Sequence, residues 1–595
     1  MESSYWQRYA HSRATRRRFL ASAATSAAGA AGLALAGCGD GGAKPTPAST
    51  STGTTPTAEP VLRGGTLRLP LNGIASADWK PPTSPVARSL LPYGPNVGYP
   101  IPTASAYHYS RLLRPVARAD VAVEDRTVVE GDLASGFEQI DPVTYRFALK
   151  PNAKWQNKAP LNGRAVTATD CVKAYEALVR LSTPRTSTNW TSVIDRVEAP
   201  DEGTVKFTLK APYAPFFHTL LASDQGLWII PPETMESGQA ATDPVGSGPY
   251  LYREDTPSVS VTWDRNPDYY DAPLPNFERV EASLKGANTA GIVAGLQSGE
   301  FDLSGLSGVV FKESRAKFDP RGQFIFPQGG VAGGLFFNFD NKPFQDKRVR
   351  QALSLLLDRP AYLNAQDGTL NGKWMSHLPP NLAPFYLDPQ TPAFGPNARF
   401  FRRGIAEAKA LLSAAGAEGL KFRLVANVDV YGPVFKQSWE MIAASLREGG
   451  LQPELVFEPF PIYNETTYLG VMPEGTAAVG PFVGVVPDPD IIFQRVYWSK
   501  SVVHNWGGTP IPEQAAIDAD IAKQRTILDV RERTAFIHEM QRKMAESMLT
   551  VPYHANADCV YAQPWMKNFF WKAGLSYLPD SLMKAHFDAD RLKKG

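Results

Sequence analysis

The clearest change of hydrophobic pattern lies in residues 335–359. Every second side chain from Leu335 to Phe339 is large and apolar, which predicts a β-strand buried mainly on one face. A break at residues 341–343 follows, and apolar residues then recur at helical spacing. Asp346 stands where a helix N-cap is expected, because its carboxylate can accept the free N–H groups of the first turn. The pattern predicts a strand, a tight break and an amphipathic helix.

Similar patterns alternate along most of the chain. Residues 144–149 alternate as a strand, and Thr167 with Asp170 forms a capping-box pattern that opens a helix. Helices are also predicted over residues 406–415, where a glycine follows, and over 529–548. At 595 residues the chain is long enough for several cores, since single cores stop growing at about 250–300 residues. Together these patterns predict an α/β protein with more than one lobe.

The first 37 residues have the pattern of an export signal. An arginine cluster at residues 16–18 precedes an Ala/Gly-rich run that ends in Leu-Ala-Gly-Cys at Cys38. The arginine pair resembles a twin-arginine signal, and the final four residues resemble the lipobox of bacterial lipoproteins. Cys38 is then the acylated N-terminus, and residues 38–60 are a flexible leash with a reach of roughly 25 Å. The alternative is a transmembrane anchor over residues 20–37, which is about the length that spans a bilayer.

Charge and cysteine content narrow the functional classes. The chain has 61 basic and 59 acidic residues; without the five Arg and one Glu of residues 1–37, 56 basic and 58 acidic residues remain. This balance gives no basic field for nucleic acid, so no nucleic-acid partner is expected. In an exported body, Cys171 and Cys559 could form a disulfide. Cys171 also begins an apolar stripe at helical spacing, which favours a small core residue instead.

Six short motifs occur in a fixed order along the body of the chain. They lie at residues 145–178, 244–250, 265–270, 337–352, 487–490 and 505–506. Together they resemble the family 5 solute-binding proteins of ABC importers, the group that contains oligopeptide-, dipeptide- and nickel-binding proteins. The resemblance runs from Gly64 to about Leu578, which is nearly the whole body.

The resemblance implies a two-lobed α/β fold of the periplasmic-binding-protein type (class II, cluster C), with an extra subdomain inserted in the first lobe. The predicted segments are lobe I at 61–105, 240–330 and 550–595, the insert at 106–239, and lobe II at 331–549. Residues 335–359 are then the passage from lobe I into lobe II.

The resemblance also implies how such a protein works. A peptide-like or other small organic ligand is captured between the lobes, which close and deliver it to the permease subunits of an ABC transporter. The protein is expected to be a monomer without a cofactor. The lipid on Cys38 is expected to hold it on the outer face of the cytoplasmic membrane, in the periplasmic or extracytoplasmic space.

Family position places one set of residues at the ligand. The set is Tyr109 from the insert and Phe482, Val485, Asp488, Asn505 and Trp506 from lobe II. Aromatic faces suit an organic ligand, although each aromatic residue could instead belong to a core. Asp488 and Asp490 stand beside prolines and are also typical turn formers. Asn338 and Asp346 are expected to position a lobe rather than to contact a ligand.

Val485 departs from the pattern of the peptide-binding members. Those members typically carry an Asp at this position, and it pairs with the ammonium group of the peptide. A buried ammonium group without a carboxylate partner is costly. The resemblance with this departure favours a neutral or blocked ligand, such as a small glycoside, a modified peptide or an amphiphile, over a peptide with a free amino terminus.

An exported hydrolase is the alternative from another class, but its motifs are incomplete. The sequence contains no Gly-x-Ser-x-Gly elbow. His538 starts a pattern like a zinc-binding helix, but Arg542 stands where the second His is needed. Residues 368–373 are one residue short of a P-loop. Eight scattered His residues, including His108, leave a metal chelate as a further ligand class but form no cluster for a resident metal. We therefore expect no enzyme.

Overall fold

The structure is a computed structural model, and it leaves several segments of the chain undescribed. It describes residues 60–70, 106–122, 128–181, 190–223, 226–256, 259–283, 289–326, 332–367, 373–427, 432–463, 466–467, 472–473, 475–483, 486–501, 510–555, 558–571 and 579–593. Cys38, the predicted export signal and nearly all of the predicted leash lie outside these residues. Leu62–Gly595 form one compact unit, which contains every element given below.

The predicted strand, break and helix are all present. Ala332–Phe337 is a strand, and the helices Lys342–Gln345 and Lys347–Leu356 follow it. The Asp346 carboxylate accepts a hydrogen bond from the Arg348 backbone N–H at 2.8 Å. The predicted N-cap is therefore confirmed, because this bond satisfies one of the free donors of the first turn.

This strand differs from its prediction in being buried on both faces. Phe336 is as fully buried as Leu335 and Phe337, and all three belong to one hydrophobic core. The strand pairs with Val551–Ala555 along one edge and with Thr476–Val483 along the other. The expectation of burial mainly on one face is wrong, because an interior strand of a sheet that is covered on both sides has no solvent face.

Six strands form the sheet of the second lobe, called the large sheet below. In order across the sheet they are Lys373–Trp374, Val551–Ala555, Ala332–Phe337, Thr476–Val483, Lys421–Ala426 and Gln452–Phe457. The last three pair in parallel and the others pair antiparallel. The parallel pair at the end of the sheet is joined through a long helix, as a βαβ unit requires.

Helices pack around the large sheet and share its core. The longer ones are Lys347–Leu356, Arg359–Asp367, Ile405–Ala414, Gly432–Glu448, Gln514–Gln524 and Val530–Ser547. Shorter helical segments are Pro392–Phe394, Pro396–Phe401, Phe460–Tyr463, Pro489–Ile492 and Phe493–Tyr497. The helices predicted over 406–415 and 529–548 are confirmed. Gly416 has φ 65°, the left-handed conformation that commonly ends a helix.

The first lobe contains two sheets. One has the strand order Thr66–Pro70, Arg279–Ser283, Ser260–Arg265 and Tyr250–Thr256, and the other has the order Leu303–Ser307, Asp558–Ala562 and Gln323–Ile325. Around them lie the helical segments Thr289–Ser298, Gly308–Ser314, Arg315–Lys317, Pro579–Leu582 and Ala589–Lys593, with the ribbon Met566–Lys567 and His586–Phe587. Two apolar clusters fill this lobe.

The predicted insert holds an antiparallel sheet of its own, called the insert sheet below. Its strand order is Ala134–Asp141, Thr144–Leu149, Thr204–Leu209 and Ile194–Asp201. Other elements are Ser110–Arg111 paired with Trp228–Ile229, Leu113–Pro115 paired with Val129–Gly131, and the helical segments Ala168–Leu181, Phe216–Leu221, Pro232–Glu236 and Gln239–Ala241. The Thr167 N–H donates to Asp170 at 2.9 Å, and the Asp170 N–H donates back to the Thr167 hydroxyl at 3.4 Å, which confirms the capping box.

One predicted boundary differs from the pairing of the strands. Residues 550–595 are predicted to belong to lobe I, yet Val551–Ala555 pairs within the large sheet. The next strand, Asp558–Ala562, does lie in a lobe I sheet. The lobe boundaries stay a prediction, but this pairing moves the last one past Ala555.

The two body cysteines are buried and are not joined by a disulfide. Cys171 lies in the insert helix Ala168–Leu181, and Cys559 lies in the middle strand of a lobe I sheet. The core interpretation of Cys171 is confirmed, and the alternative of a disulfide between the two residues is wrong. Among the described residues, no helix is both long enough and apolar enough to span a bilayer.

Candidate functional site

The predicted ligand residues divide into those that the structure describes and those that it does not. Val485, Asn505 and Trp506 lie outside the described residues. Phe482 lies in the strand Thr476–Val483, but the placement of its side chain is not described. Tyr109 and Asp488 are fully described, and they are not in the same part of the fold. Their roles at a ligand stay predictions.

Tyr109 is enclosed against the glycine-containing loop at residues 244–249. Its ring meets the His108 ring edge-on, with 4.4 Å between the ring centroids. The Gly248 N–H donates to the His108 carbonyl oxygen at 2.9 Å, which fixes the loop against this segment. Because a Cβ on Gly246 would lie 1.7 Å from the same carbonyl oxygen, only glycine allows this close approach.

The polar atoms of this pair are buried without partners. In the part of the chain that the structure describes, neither the Tyr109 hydroxyl nor either ring nitrogen of His108 has a hydrogen-bond partner. Burial, with a smaller contribution from Lys158, lowers the pKa of His108 to about 3, so its ring is neutral. Buried polar groups are normally paired, so these atoms call for a water or a ligand group. In the sequence, His108 is only one of eight scattered histidines.

Asp488 occupies the centre of a buried ionic cluster. Arg533 donates to its two carboxylate oxygens at 2.7 and 2.8 Å, and His218 Nε2 lies 2.7 Å from Oδ2. Asp488 also caps the helix Pro489–Ile492 by accepting from the Asp490 N–H at 2.7 Å. Burial alone would raise the pKa of Asp488, but the charge and hydrogen bonds of Arg533 outweigh burial and hold the pKa well below its usual value.

Asp490 is held in a similar way by three side chains. The Tyr213 hydroxyl donates to Oδ2 at 2.9 Å, Gln524 donates to Oδ1 at 2.6 Å, and Arg525 lies 3.3 Å from Oδ2. Burial and the neighbouring Asp490 raise the pKa of Tyr213, so its hydroxyl remains a donor. Asp488 has a local structural role as a helix cap, and its role at a ligand stays a prediction; neither carboxylate was expected to be the centre of an ionic cluster.

The residues that pair with Asp488 and Asp490 are distant in sequence, so the pairing could not be predicted from the sequence. His218 is 270 residues from Asp488, and Arg533 is 45 residues from it. The one local signal was the Pro-Asp-Pro-Asp motif, which placed two carboxylates close together. Tyr213 and His218 stand in residues 213–221, a segment for which the sequence predicted no role.

The described residues of the incomplete enzyme motifs bond to neighbouring backbone and side-chain groups. His538 is half-buried in the helix Val530–Ser547, and its Nε2 lies 3.1 Å from the Pro384 carbonyl oxygen. Arg542 pairs with Glu539 and donates to the Ala393 carbonyl oxygen. Residues 368–372, most of the near P-loop, lie outside the described residues. Within the residues described, no three His, Cys, Asp or Glu side chains are grouped to hold a metal ion.

Two α/β lobes with a third sheet inserted in the first define the class of two-lobed periplasmic binding proteins. Comparison with known proteins agrees with this class. Residues 128–500 match the family described as bacterial extracellular solute-binding proteins, family 5 Middle. The match covers more than half of the chain, and the protein belongs to this family. Family membership classes it as a solute-binding protein and not as an enzyme, as predicted.

One relative is the probable D,D-dipeptide-binding periplasmic protein DdpA of Escherichia coli (strain K12). It is 28% identical over 272 residues, which cover 44% of this chain and 49% of DdpA. The chain therefore spans about half the length of this relative in the alignment.

Solved structures match over much more of the chain. DppA from Helicobacter pylori in complex with the peptide STSA has a TM-score of 0.69 at 20% identity, and the match covers 88% of this chain and 98% of that one. AgaA from A. tumefacien R10 in complex with agropinic acid has a TM-score of 0.66 at 21% identity, with 88% and 99% covered. At such identities the likeness establishes the fold alone.

Proposed function

We propose that the protein captures a peptide-like or other small organic ligand between its two lobes and delivers it to the permease of an ABC importer. The observation that carries this proposal is the family match over residues 128–500. The solved relatives include one in complex with a peptide and one with agropinic acid, so the fold accommodates more than one ligand chemistry.

The ligand that fits best lacks a free ammonium group. The resemblance implies that Val485, which is a valine in this sequence, stands where peptide-binding members typically carry the Asp that pairs with that group. The neutral His108 and the Tyr109 hydroxyl offer uncharged hydrogen-bonding atoms and no carboxylate. Neither of these two groups is a carboxylate that could pair with a buried ammonium group. We therefore place neutral or blocked ligands first, with modified peptides, small glycosides and metal chelates as the classes to test.

A solute screen tests this function. We expect one class among acetylated peptides, free peptides, glycosides and metal chelates to raise the melting temperature, because a ligand at 100 times its Kd stabilises the folded state by about 2.7 kcal/mol. Mass spectrometry of material extracted from the purified protein checks the same point. An N-acetylated peptide should stabilise more than the same peptide with a free amino terminus.

The matched variant for this screen is Val485→Asp, which supplies the missing carboxylate and should reverse the preference for the acetylated peptide. An unchanged preference contradicts the role of Val485. If no solute binds while hydrolysis of an ester, peptide or glycoside is measured, the transport function is wrong.

We also propose that a lipid on Cys38 tethers the protein to the outer face of the cytoplasmic membrane. The support is the arginine-rich start, the apolar run and the Leu-Ala-Gly-Cys sequence that ends it. Cys38→Ser should move the protein from the membrane fraction to the soluble fraction. Cys171→Ser is the matched control and should leave it in the membrane fraction. Retention of the Cys38→Ser variant would instead support the transmembrane anchor over residues 20–37.

A further inference from the structure

The insert is joined to the first lobe by a set of buried and half-buried contacts. The Gln156 side chain donates to the Tyr250 carbonyl oxygen at 2.8 Å, and the Gln156 N–H donates to the Gly246 carbonyl oxygen at 2.8 Å. Lys150 pairs with Asp271 at 2.6 Å. These bonds join the insert to the segment that leads into a lobe I sheet, so the insert and lobe I move together.

The same insert also contacts the second lobe through residues 213–221. The Phe216 ring packs on the insert sheet, at 5.5 Å from the Phe207 ring and 6.5 Å from the Phe147 ring, which makes this segment part of the insert. From it, Tyr213 reaches Asp490 at 2.9 Å and His218 reaches Asp488 at 2.7 Å.

Two further contacts support this junction. The Ala214 N–H donates to the Arg525 carbonyl oxygen at 2.8 Å, and the Arg525 guanidinium lies 4.9 Å from the centroid of the Tyr213 ring. Asp488, Asp490 and Arg525 all belong to the lobe whose core surrounds the large sheet. A lobe I subdomain and lobe II are therefore joined by buried hydrogen bonds.

The two sides of this junction are not equivalent. On the lobe II side, Asp488 keeps Arg533 and its cap bond, and Asp490 keeps Gln524, without any help from the insert. Separation of the lobes therefore leaves no buried charge without a partner on that side, which would otherwise be very costly. Separation breaks the bonds that the His218 ring, the Tyr213 hydroxyl and the Ala214 N–H make to lobe II, and water can replace them on both sides.

We propose that Tyr213 and His218 are positioning residues that form a reversible latch, which holds the insert against lobe II and sets how long a captured solute is retained. The part of this proposal that concerns solute retention rests on the proposed solute-binding function. The latch itself acts on the balance between closed and open lobes whether or not a solute is bound.

The test measures the distance between the lobes in solute-free protein. Spin labels are placed through Glu138→Cys on the insert sheet and Glu440→Cys on the helix Gly432–Glu448, both exposed positions, in the full chain carrying Cys38→Ser. Cys171 and Cys559 are buried, which shields them from the labelling reagent. The pulsed electron–electron distance distribution then reports the fractions of closed and open protein.

We expect Tyr213→Phe and His218→Gln each to lower the closed-to-open ratio by about tenfold, the effect of losing one buried hydrogen bond of about 1.4 kcal/mol. Tyr145→Phe is the matched control, because among the described residues its hydroxyl donates to the Pro142 carbonyl oxygen and accepts from Gln139, both within the insert. It should leave the distances unchanged. If His218→Gln lowers the folded fraction, Tyr213→Phe alone tests the latch, because it removes the hydroxyl and keeps the aromatic ring.

Distances in both latch variants that equal those of the unaltered protein would overturn the latch. A solute-free protein that is already open without substitution would overturn it as well. Because this readout needs no solute, failure of the latch is distinguishable from failure of the solute screen, which concerns the proposed function alone.

Discussion

Asp488→Asn is expected to lower the free energy of unfolding by about 3–5 kcal/mol, because it leaves the buried Arg533 guanidinium without its counter-charge. Arg533 is 3% exposed and Asp488 is fully buried, so water cannot take over the role of the carboxylate. Urea unfolding of the variant and the unaltered protein, followed by tryptophan fluorescence, measures the difference. The m-value should not change, since the same surface is exposed on unfolding.

Asp346→Asn is the matched control for this substitution. Asp346 also caps a helix and pairs with an arginine, Arg348, but that pair lies near the surface. Exposed pairs contribute about 0–1 kcal/mol, so a loss of about 1 kcal/mol or less is expected. Equal losses for the two variants would contradict the role assigned to burial.

The pH dependence of stability supplies a second check on Asp488. The pKa of Asp488 is lower in the folded protein than in the unfolded chain, so the unfolded chain binds the proton more readily as acid is added. The stabilisation is fully present above the usual carboxyl pKa and is lost as the pH falls towards the folded-state value. Between about pH 5 and the pH at which the protein unfolds in acid, carboxylates titrate. In this range the unaltered protein should therefore lose more stability than Asp488→Asn.

Gly246→Ala is expected to destabilise the protein by about 3 kcal/mol or more, through a clash with backbone rather than with a flexible side chain. The added Cβ would lie 1.7 Å from the His108 carbonyl oxygen and 2.6 Å from its carbonyl carbon. The loop and the Tyr109 segment must then separate, which also breaks the bond from the Gly248 N–H. Thermal unfolding gives the loss, and hydrogen exchange at residues 106–109 shows where it arises.

Gly136→Ala is the control for this second substitution. Gly136 lies in an insert strand, and a Cβ there meets nothing within 4 Å. Its variant should remain within about 0.5 kcal/mol of the unaltered protein, as surface substitutions do. A Gly246→Ala variant of similar stability would show that the loop does not approach His108 so closely.

Features that depend on neighbours in sequence were predictable. The Asp346 cap and the box formed by Thr167 and Asp170 each need only groups within three residues, and both are present. The resemblance of ordered motifs supplied the two-lobed fold. The burial of Phe336 was missed because it depends on the elements that cover both faces of the large sheet, which come from distant parts of the chain.

The site was less predictable for the same physical reason. Two adjacent carboxylates in Pro-Asp-Pro-Asp indicated a turn, but the charge that balances Asp488 comes from Arg533 on another helix, and His218 comes from another subdomain. No local pattern specifies such a partner. Likewise, Tyr109 was named through the family, whereas the buried state of His108 follows from packing against residues 244–249.

The strand Val551–Ala555 and the strand Asp558–Ala562 follow each other closely but complete different lobes. The first lies between Lys373–Trp374 and Ala332–Phe337, and the second lies in the middle of a three-stranded sheet. A chain that is still being synthesised cannot finish either sheet until these last strands have left the ribosome. Both lobes therefore mature late and nearly together, which makes the body a single unit of biosynthetic folding rather than two that fold in turn.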